Sequence, residues 1–216
     1  MALNQTLEKT ERQIRLTRDD WIDAALGLLV DRGIDAVQIT VLAKHLSVTR
    51  GSFYWHFQSH EELLNALVER WSRLNTNVIF EAVKDAQTLD DGILALFSVW
   101  TDHTRFDPDL DQAIRDWARH DEALRVKLKI EDQSRVEALA AFFERQGFAP
   151  KEAFIRARVL YFTQVTYYAL RIADDESLAE RLGYLEAYFK SFTGQDIDAG
   201  TAEAYRAILL RKEKTS

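Results

Sequence analysis

A chain of 216 residues without cysteine forms no disulfide and no thiolate metal site, and it is long enough to bury a sizeable core. Its 28 Lys and Arg against 35 Asp and Glu leave a formal net charge of −7, and only two Pro and eight Gly suit helices and argue against a turn-rich β protein. No apolar run reaches the ~18 residues of a membrane span and no signal-peptide core opens the chain, so a soluble, cytoplasmic protein is expected.

Residues 1–16 read as an N-terminal extension in which Lys9, Arg12, Arg15 and Arg18 recur every third residue. A basic arm for a minor groove and a solvated helix extension both fit, the interleaved Glu8 and Glu11 favouring the second. Thr17 followed by Asp20 is a helix start; Trp21, Ala24, Ala25, Leu28 and Leu29 keep helical spacing, and Gly33 ends the helix. A short helix over about 39–46, with Leu42, Ala43 and Leu46 inward, is followed by another from near Thr49 to near Trp55. Three short helices in this order make a helix-turn-helix head over 17–60.

Ser59 caps a fourth helix, expected to run unbroken through 61–87 with Leu63, Leu64, Leu67, Trp71, Val78 and Val83 in phase. Further helices are expected at about 90–104, 109–120, 122–146, 151–174, 177–193 and 199–213, making 61–216 one helical body. The fold class is therefore all-α: a three-helix head joined by a long fourth helix to a larger helical domain.

Charge is distributed unevenly. Residues 1–60 hold seven basic and seven acidic residues, so the whole −7 belongs to 61–216, and no Asp or Glu occurs from Ala36 to His60. A surface that meets phosphates excludes carboxylates, so this window reads as a DNA-facing face. In a helix-turn-helix the second helix offers its N-terminal residues to base edges. Thr49, Arg50, Gly51 and Ser52 stand there: Arg50 for a guanine or a phosphate, Thr49 and Ser52 as donors, and Gly51 for close backbone approach. Tyr54 and His56 suit phosphate contacts, whereas Phe53 and Phe57 anchor the head's core. Lys44 adds a cation within the same acid-free window.

The run Gly51-Ser52-Phe53-Tyr54-Trp55-His56-Phe57, followed by Ser59 and Glu62-Leu63-Leu64 and preceded by Leu42-Ala43 and Leu46-Ser47-Val48, resembles the TetR-family signature over about residues 15–68. The resemblance implies that Thr40, Thr49, Arg50, Gly51, Ser52, Tyr54 and His56 contact an operator. Three positions depart from the family's habit. Gln38 stands where Ser or Thr caps the second helix, Ser47 where the turn has Gly, and His60 where the fourth helix opens with Lys. Ser47 would pay for any left-handed backbone. His60 changes charge near neutrality where lysine does not, so a phosphate contact there would depend on pH.

The resemblance further implies a ligand-sensing body and a homodimer whose seam is formed by helices over about 151–173 and 177–192. Residues on helices that line such a pocket are Trp100, His103 and Thr104, then Arg115, Trp117 and His120, then Gln133 and Tyr167. The supply of Trp and Phe points to an apolar or aromatic effector. Enzyme chemistry finds no support: no histidine has Glu three residues before it, and no His-Glu-x-x-His, Gly-x-Ser-x-Gly or glycine phosphate loop occurs. No metal and no cofactor are expected. The expectation is a dimeric regulator, a repressor on a palindromic operator released by a small molecule. The competing reading is a helical protein-interaction module with a vestigial helix-turn-helix.

Overall fold

The structure, a computed structural model, describes residues 16–213, and side chains up to Arg211. Lys9, Arg12 and Arg15 lie outside the described residues. Among the described residues the chain is helical without strands. It divides into two compact units, one ending at Val68 and one beginning at Glu69. The first unit runs past residue 60 because Leu63, Ala66 and Leu67 are buried.

In the first unit, Thr17 and Asp20 cap each other at the start of α1 (Arg18–Arg32). The Asp20 amide donates to Thr17 Oγ1 at 3.2 Å and the Thr17 amide to Asp20 Oδ2 at 2.6 Å, so two orphan amides are satisfied. The Thr17 amide and then the Thr17 hydroxyl, both donating to the carboxylate, hold the Asp20 carboxyl below its usual value. Gly33, at φ 76°, ends the helix and a single 3₁₀ turn over Ile34–Ala36 follows. Next comes α2 (Ile39–His45), which buries Leu42 and Ala43. Gln38 occupies the cap position but does not cap; its Nε2 donates back to the Asp35 carbonyl at 2.9 Å. Ser47 turns the chain at φ 57°, the left-handed conformation for which it lacks glycine's freedom. The turn leads to α3 (Arg50–Phe53), and one further turn of i→i+3 bonds carries the chain to His56.

Then α4 (His60–Trp71) opens on Ser59, whose hydroxyl accepts from the Glu62 amide at 3.1 Å, while the Glu62 carboxylate accepts from the Gln58 amide at 2.7 Å. The unbroken helix expected over 61–87 is interrupted. After Trp71 the chain makes a π turn over Ser72–Thr76 before α5 (Asn77–Lys84). The π turn points Asn75 and Thr76 inward, and both are buried. Side-chain periodicity carries no trace of such an insertion, because Val78 and Val83 still match a helical template.

The remainder of the second unit comprises α6 (Leu89–Trp100), α7 (Pro108–Ala118), α8 (Glu122–Arg145), α9 (Pro150–Ala169), α10 (Ile172–Asp175), α11 (Leu178–Gly183), α12 (Leu185–Thr193) and α13 (Ala199–Glu213). The helix expected over 151–174 ends earlier, because Arg171 adopts φ 55°. The one expected over 177–193 is two pieces meeting at Tyr184. The core is built from α5, α6, α8, α9 and the last helices, with Phe142, Phe143, Leu160, Leu185 and Phe189 essentially inaccessible. Each such side chain contributes about 1.5–3 kcal/mol of burial.

Candidate functional site

The head presents its acid-free window on an aromatic frame. Phe53 and Phe57 stack at 5.2 Å, Trp21 meets Phe53 edge-on at 5.4 Å, and all three are buried. The Arg18 guanidinium lies 4.7 Å from the Phe57 ring centre and pairs with Glu62 at 3.4 Å. Arg18 is thus spent on the head itself rather than on the basic arm suggested by its spacing.

With Phe53 and Phe57 held inward, the alternate positions of the same stretch face out. Thr49, Arg50, Gly51 and Tyr54 are exposed, Ser52 and His56 half-buried; on α2, Thr40 and Lys44 are exposed. The Thr49 side chain does not cap α3, which leaves its hydroxyl available. Gly51 is informative because the fold does not need it. Its φ is not positive, and a methyl group there would meet only Thr49 Oγ1, at an ordinary 3.7 Å. A helical position that tolerates alanine but carries glycine leaves the peptide backbone open to close approach from outside.

His60 differs from the others. Its Nε2 donates to the Val37 carbonyl at 2.6 Å, so that nitrogen is committed to joining α4 to the turn before α2. Trp55, absent from the sequence-based set, is 87 % exposed, the most exposed large hydrophobic side chain described. Its signal was its position two residues from both Phe53 and Phe57, hence on the opposite side of the turn.

In the second unit a charged cluster lies within the apolar core. Asp111 accepts from Trp71 Nε1 at 2.9 Å and Arg135 Nη1 at 3.1 Å through one oxygen, and from Arg115 Nε at 2.8 Å through the other. Arg115 also grips Asp132 through both terminal nitrogens, at 2.9 and 2.8 Å. The Tyr161 hydroxyl donates to Asp132 at 2.6 Å and accepts from both arginines. Burial opposes ionisation of Asp111, but Arg135 and then Arg115 outweigh it and hold the carboxyl below its usual value. Burial likewise pushes the Tyr161 phenol well above its ordinary value. The cluster reaches the π turn: Arg135 Nε donates to Thr76 Oγ1 at 2.9 Å, and Thr76 and Ser72 both donate to Glu131 at 2.8 Å. Sequence reasoning offered Arg115 as a pocket residue and missed Asp111, Asp132 and Arg135, since charges on amphipathic helices read as solvated.

One concavity adjoins this cluster, and a second shares Trp100 and Gln164 with it. The outer, about 560 Å³ and open to solvent, is walled by Phe97, Trp100, Leu160, Tyr167, Leu182, Tyr188 and Phe192, with Thr101, Thr163, Gln164, Glu176 and Arg181 as its polar groups. Tyr167 donates to Glu176 at 2.5 Å, and the Arg181 guanidinium stands 5.3 Å from its ring centre. The inner, a narrow cleft of about 260 Å³ when the open solvent at its mouth is included, is bounded by Ile79, Trp100, Phe106, Asp111, Arg135, Tyr161, Gln164 and Tyr168, among others. Of the residues taken from sequence as pocket-lining, Trp100 and Tyr167 line the outer space, and Trp100 the inner as well. His103, Thr104, His120 and Gln133 are exposed and Trp117 is buried; none of the five bounds either space. Among the described residues no group of three or more His, Asp or Glu is placed to hold a metal ion, and no helix is long and apolar enough to cross a membrane.

Comparison with known proteins agrees with the head. Residues 22–67 match the family model for bacterial regulatory proteins of the tetR family. The chain is 33 % identical over 70 residues to the HTH-type transcriptional regulator AcrR of Shigella flexneri, covering 32 % of this chain and 31 % of that protein. It is 43 % identical over 53 residues to the tetracycline repressor protein class D of Escherichia coli, 24 % of each chain. The matches thus span about a quarter to a third of these relatives' length. Over the whole fold, a transcriptional regulator of the TerR/AcrR family from Aquifex aeolicus VF5 superposes with a TM-score of 0.55 at 16 % identity, covering 90 % of this chain and 98 % of that one. A TetR-like transcriptional regulator from Rhodococcus sp. RHA1 gives 0.52 at 15 % identity, covering 92 % and 97 %. Residues 22–67 thus carry the helix-turn-helix domain of the tetR family of bacterial regulatory proteins, and the all-helical fold behind it is one that solved transcriptional regulators share.

Proposed function

We propose that the protein is a cytoplasmic, ligand-responsive transcriptional regulator: a repressor that binds a palindromic operator as a homodimer and is released by a small molecule. The observation that carries this reading is the exposed, acid-free surface of α2 and α3, with Arg50, Thr49 and Tyr54 turned outward around a glycine that the fold itself does not require. Thr40, Lys44, Thr49, Arg50, Gly51, Ser52, Tyr54 and His56 are its contacts, with His60 and Trp55 at the border. Two heads would meet successive major grooves about 34–36 Å apart. The seam over 151–173 and 177–192 is supported by the outward apolar side chains Ile155, Val159 and Phe162 along α9 and Leu170 at its end. The concavities beside Trp100 support a body that takes an apolar ligand.

The test is a shift assay on DNA from upstream of the protein's own gene across a range of salt concentrations. A specific complex whose affinity falls linearly with the logarithm of salt supports the regulator. Equal affinity for random DNA at every salt concentration would instead favour an interaction module with a relic head.

A further inference from the structure

The inner cavity contains groups that the protein leaves unmet. Arg135 is wholly buried, and its Nε and Nη1 are spent on Thr76, Asp111 and Tyr161, yet its Nη2 makes no hydrogen bond. Gln164 Nε2, on the wall shared by the two concavities, is also buried without a partner. Both unmet groups are donors. An unmet buried donor costs on the order of 1–3 kcal/mol, and more when charged, so whatever occupies this space is favoured for supplying an acceptor.

Charge narrows the acceptor further. Arg115 and Arg135 are already balanced by Asp111 and Asp132, and Glu131 stands one turn away on α8. A carboxylate ligand would bring another acid beside these in the inner space, and Arg181 of the outer wall stands over the Tyr167 ring beside Glu176. The walls are otherwise aromatic and aliphatic: Trp100, Phe106, Tyr168, Ile79 and Val165 inside, Phe97, Leu160, Leu182 and Phe192 outside.

From these observations we infer that the effector is an uncharged, apolar molecule bearing a carbonyl-type oxygen, which accepts from Arg135 Nη2 and Gln164 Nε2 in the inner cavity while its body extends past Trp100 into the outer one. Calling this ligand an effector rests on the regulatory reading above; its chemistry rests on the cavity alone. The site is also placed to be sensed. The guanidinium that would hold the oxygen is the one bonded to Thr76 in the π turn, so occupancy alters the geometry of that turn directly.

Three probes of one shape separate the possibilities: acetophenone, its hydrocarbon isostere α-methylstyrene and its anionic isostere benzoate. Dissociation constants are measured by titration on the full chain, for the wild type and for Gln164→Leu, which retains the volume and leaves the ion cluster untouched. The expected result is that acetophenone binds and benzoate binds at least about tenfold more weakly. Gln164→Leu should weaken acetophenone about tenfold while leaving α-methylstyrene unchanged or tighter. A crystal structure with acetophenone should place its oxygen within hydrogen-bonding distance of Arg135 Nη2. The inference is overturned if the variant changes both neutral probes equally, if benzoate binds best, if no probe binds, or if water occupies both donors with the ketone elsewhere. The operator assay runs separately. Specific DNA binding with a failed probe series removes this inference alone, and absent DNA binding removes the regulatory reading while the probe constants still judge the cavity.

Discussion

The indole of Trp71, the last residue of α4, donates a 2.9 Å hydrogen bond to the Asp111 carboxylate, and both side chains are buried. The Arg135 guanidinium lies 5.0 Å from the centre of the same indole ring and bonds to the same carboxylate. One tryptophan therefore meets the acid through its edge and the base through its face, tying the end of α4 to α7 and α8. Replacing Asp111 by Asn should leave two guanidiniums short of an anion. Chemical denaturation should show a loss of about 3–5 kcal/mol, the usual cost of breaking a buried pair by removing one partner.

Acid should reproduce part of that loss. The folded Asp111 carboxyl holds its proton less tightly than an unfolded one, so ionisation favours folding. That contribution is complete above the unfolded value of about 3.9 and is lost as pH falls through the lower folded value. Melting temperatures of the wild type and Asp111→Asn, measured from pH 7 to pH 2, should converge only below about pH 4. A gap of constant size across that range would show that Asp111 is not the titrating group.

Gly92 on α6 faces the Phe142 ring, where a Cβ would approach within 2.3 Å. Gly92→Ala should therefore destabilise by about 1–3 kcal/mol despite alanine's better helix propensity, the usual cost of overpacking. Gly51→Ala should do the reverse. It gains about 0.5–1 kcal/mol in stability, because nothing crowds the new methyl group, and on the proposed reading of the head it loses operator affinity, because the methyl then stands between the backbone and DNA. Melting and shift assays on the two alanine variants separate a glycine kept for packing from one kept for contact.

Arg50→Ala and Tyr54→Phe alter exposed groups, so their melting temperatures should match the wild type while operator binding weakens. If Arg50 pairs with a base, its loss costs about 1–3 kcal/mol and relaxes preference at one position. If it holds a phosphate, affinity falls for all sequences and the salt slope drops by about one. Wild-type binding by both variants would mean that α3 does not read DNA.

Ser47→Gly should stabilise the head by about 0.5–1 kcal/mol, since serine holds φ 57° at a cost that glycine avoids. The midpoint of thermal unfolding measures this directly, and a decrease would show that the serine side chain contributes something the strain does not outweigh.

The head was legible because its signals are local. A cap at Thr17, a stop at Gly33, a cap at Ser59 and aromatics at 53 and 57 each act within a few residues. The strain at Ser47 was anticipated through the family's habit of a glycine at that turn. The body's cluster was not legible, because its partners lie far apart in sequence: Trp71 with Asp111, Arg115 with Tyr161, Thr76 with Arg135. Periodicity assigns an isolated Asp or Arg to water, and only tertiary packing shows that each is paired. Two of the departures from the expected long helices share this origin. A π turn satisfied by side chains from α8, and a left-handed Arg171, leave no composition signal of their own.

The π turn also sets the phase of α5. An α-helix advances about 100° per residue, so one residue more in a turn rotates every later face by about that amount. Deleting a residue within 72–76 would restore regular winding and swing Ile79 and Val83, now buried, out of the core. Inserting or removing a residue is ordinarily ruinous inside a helix, yet here a single bulge has already absorbed one. Changes of chain length in the stretch that follows Trp71 would therefore be accommodated at this point first.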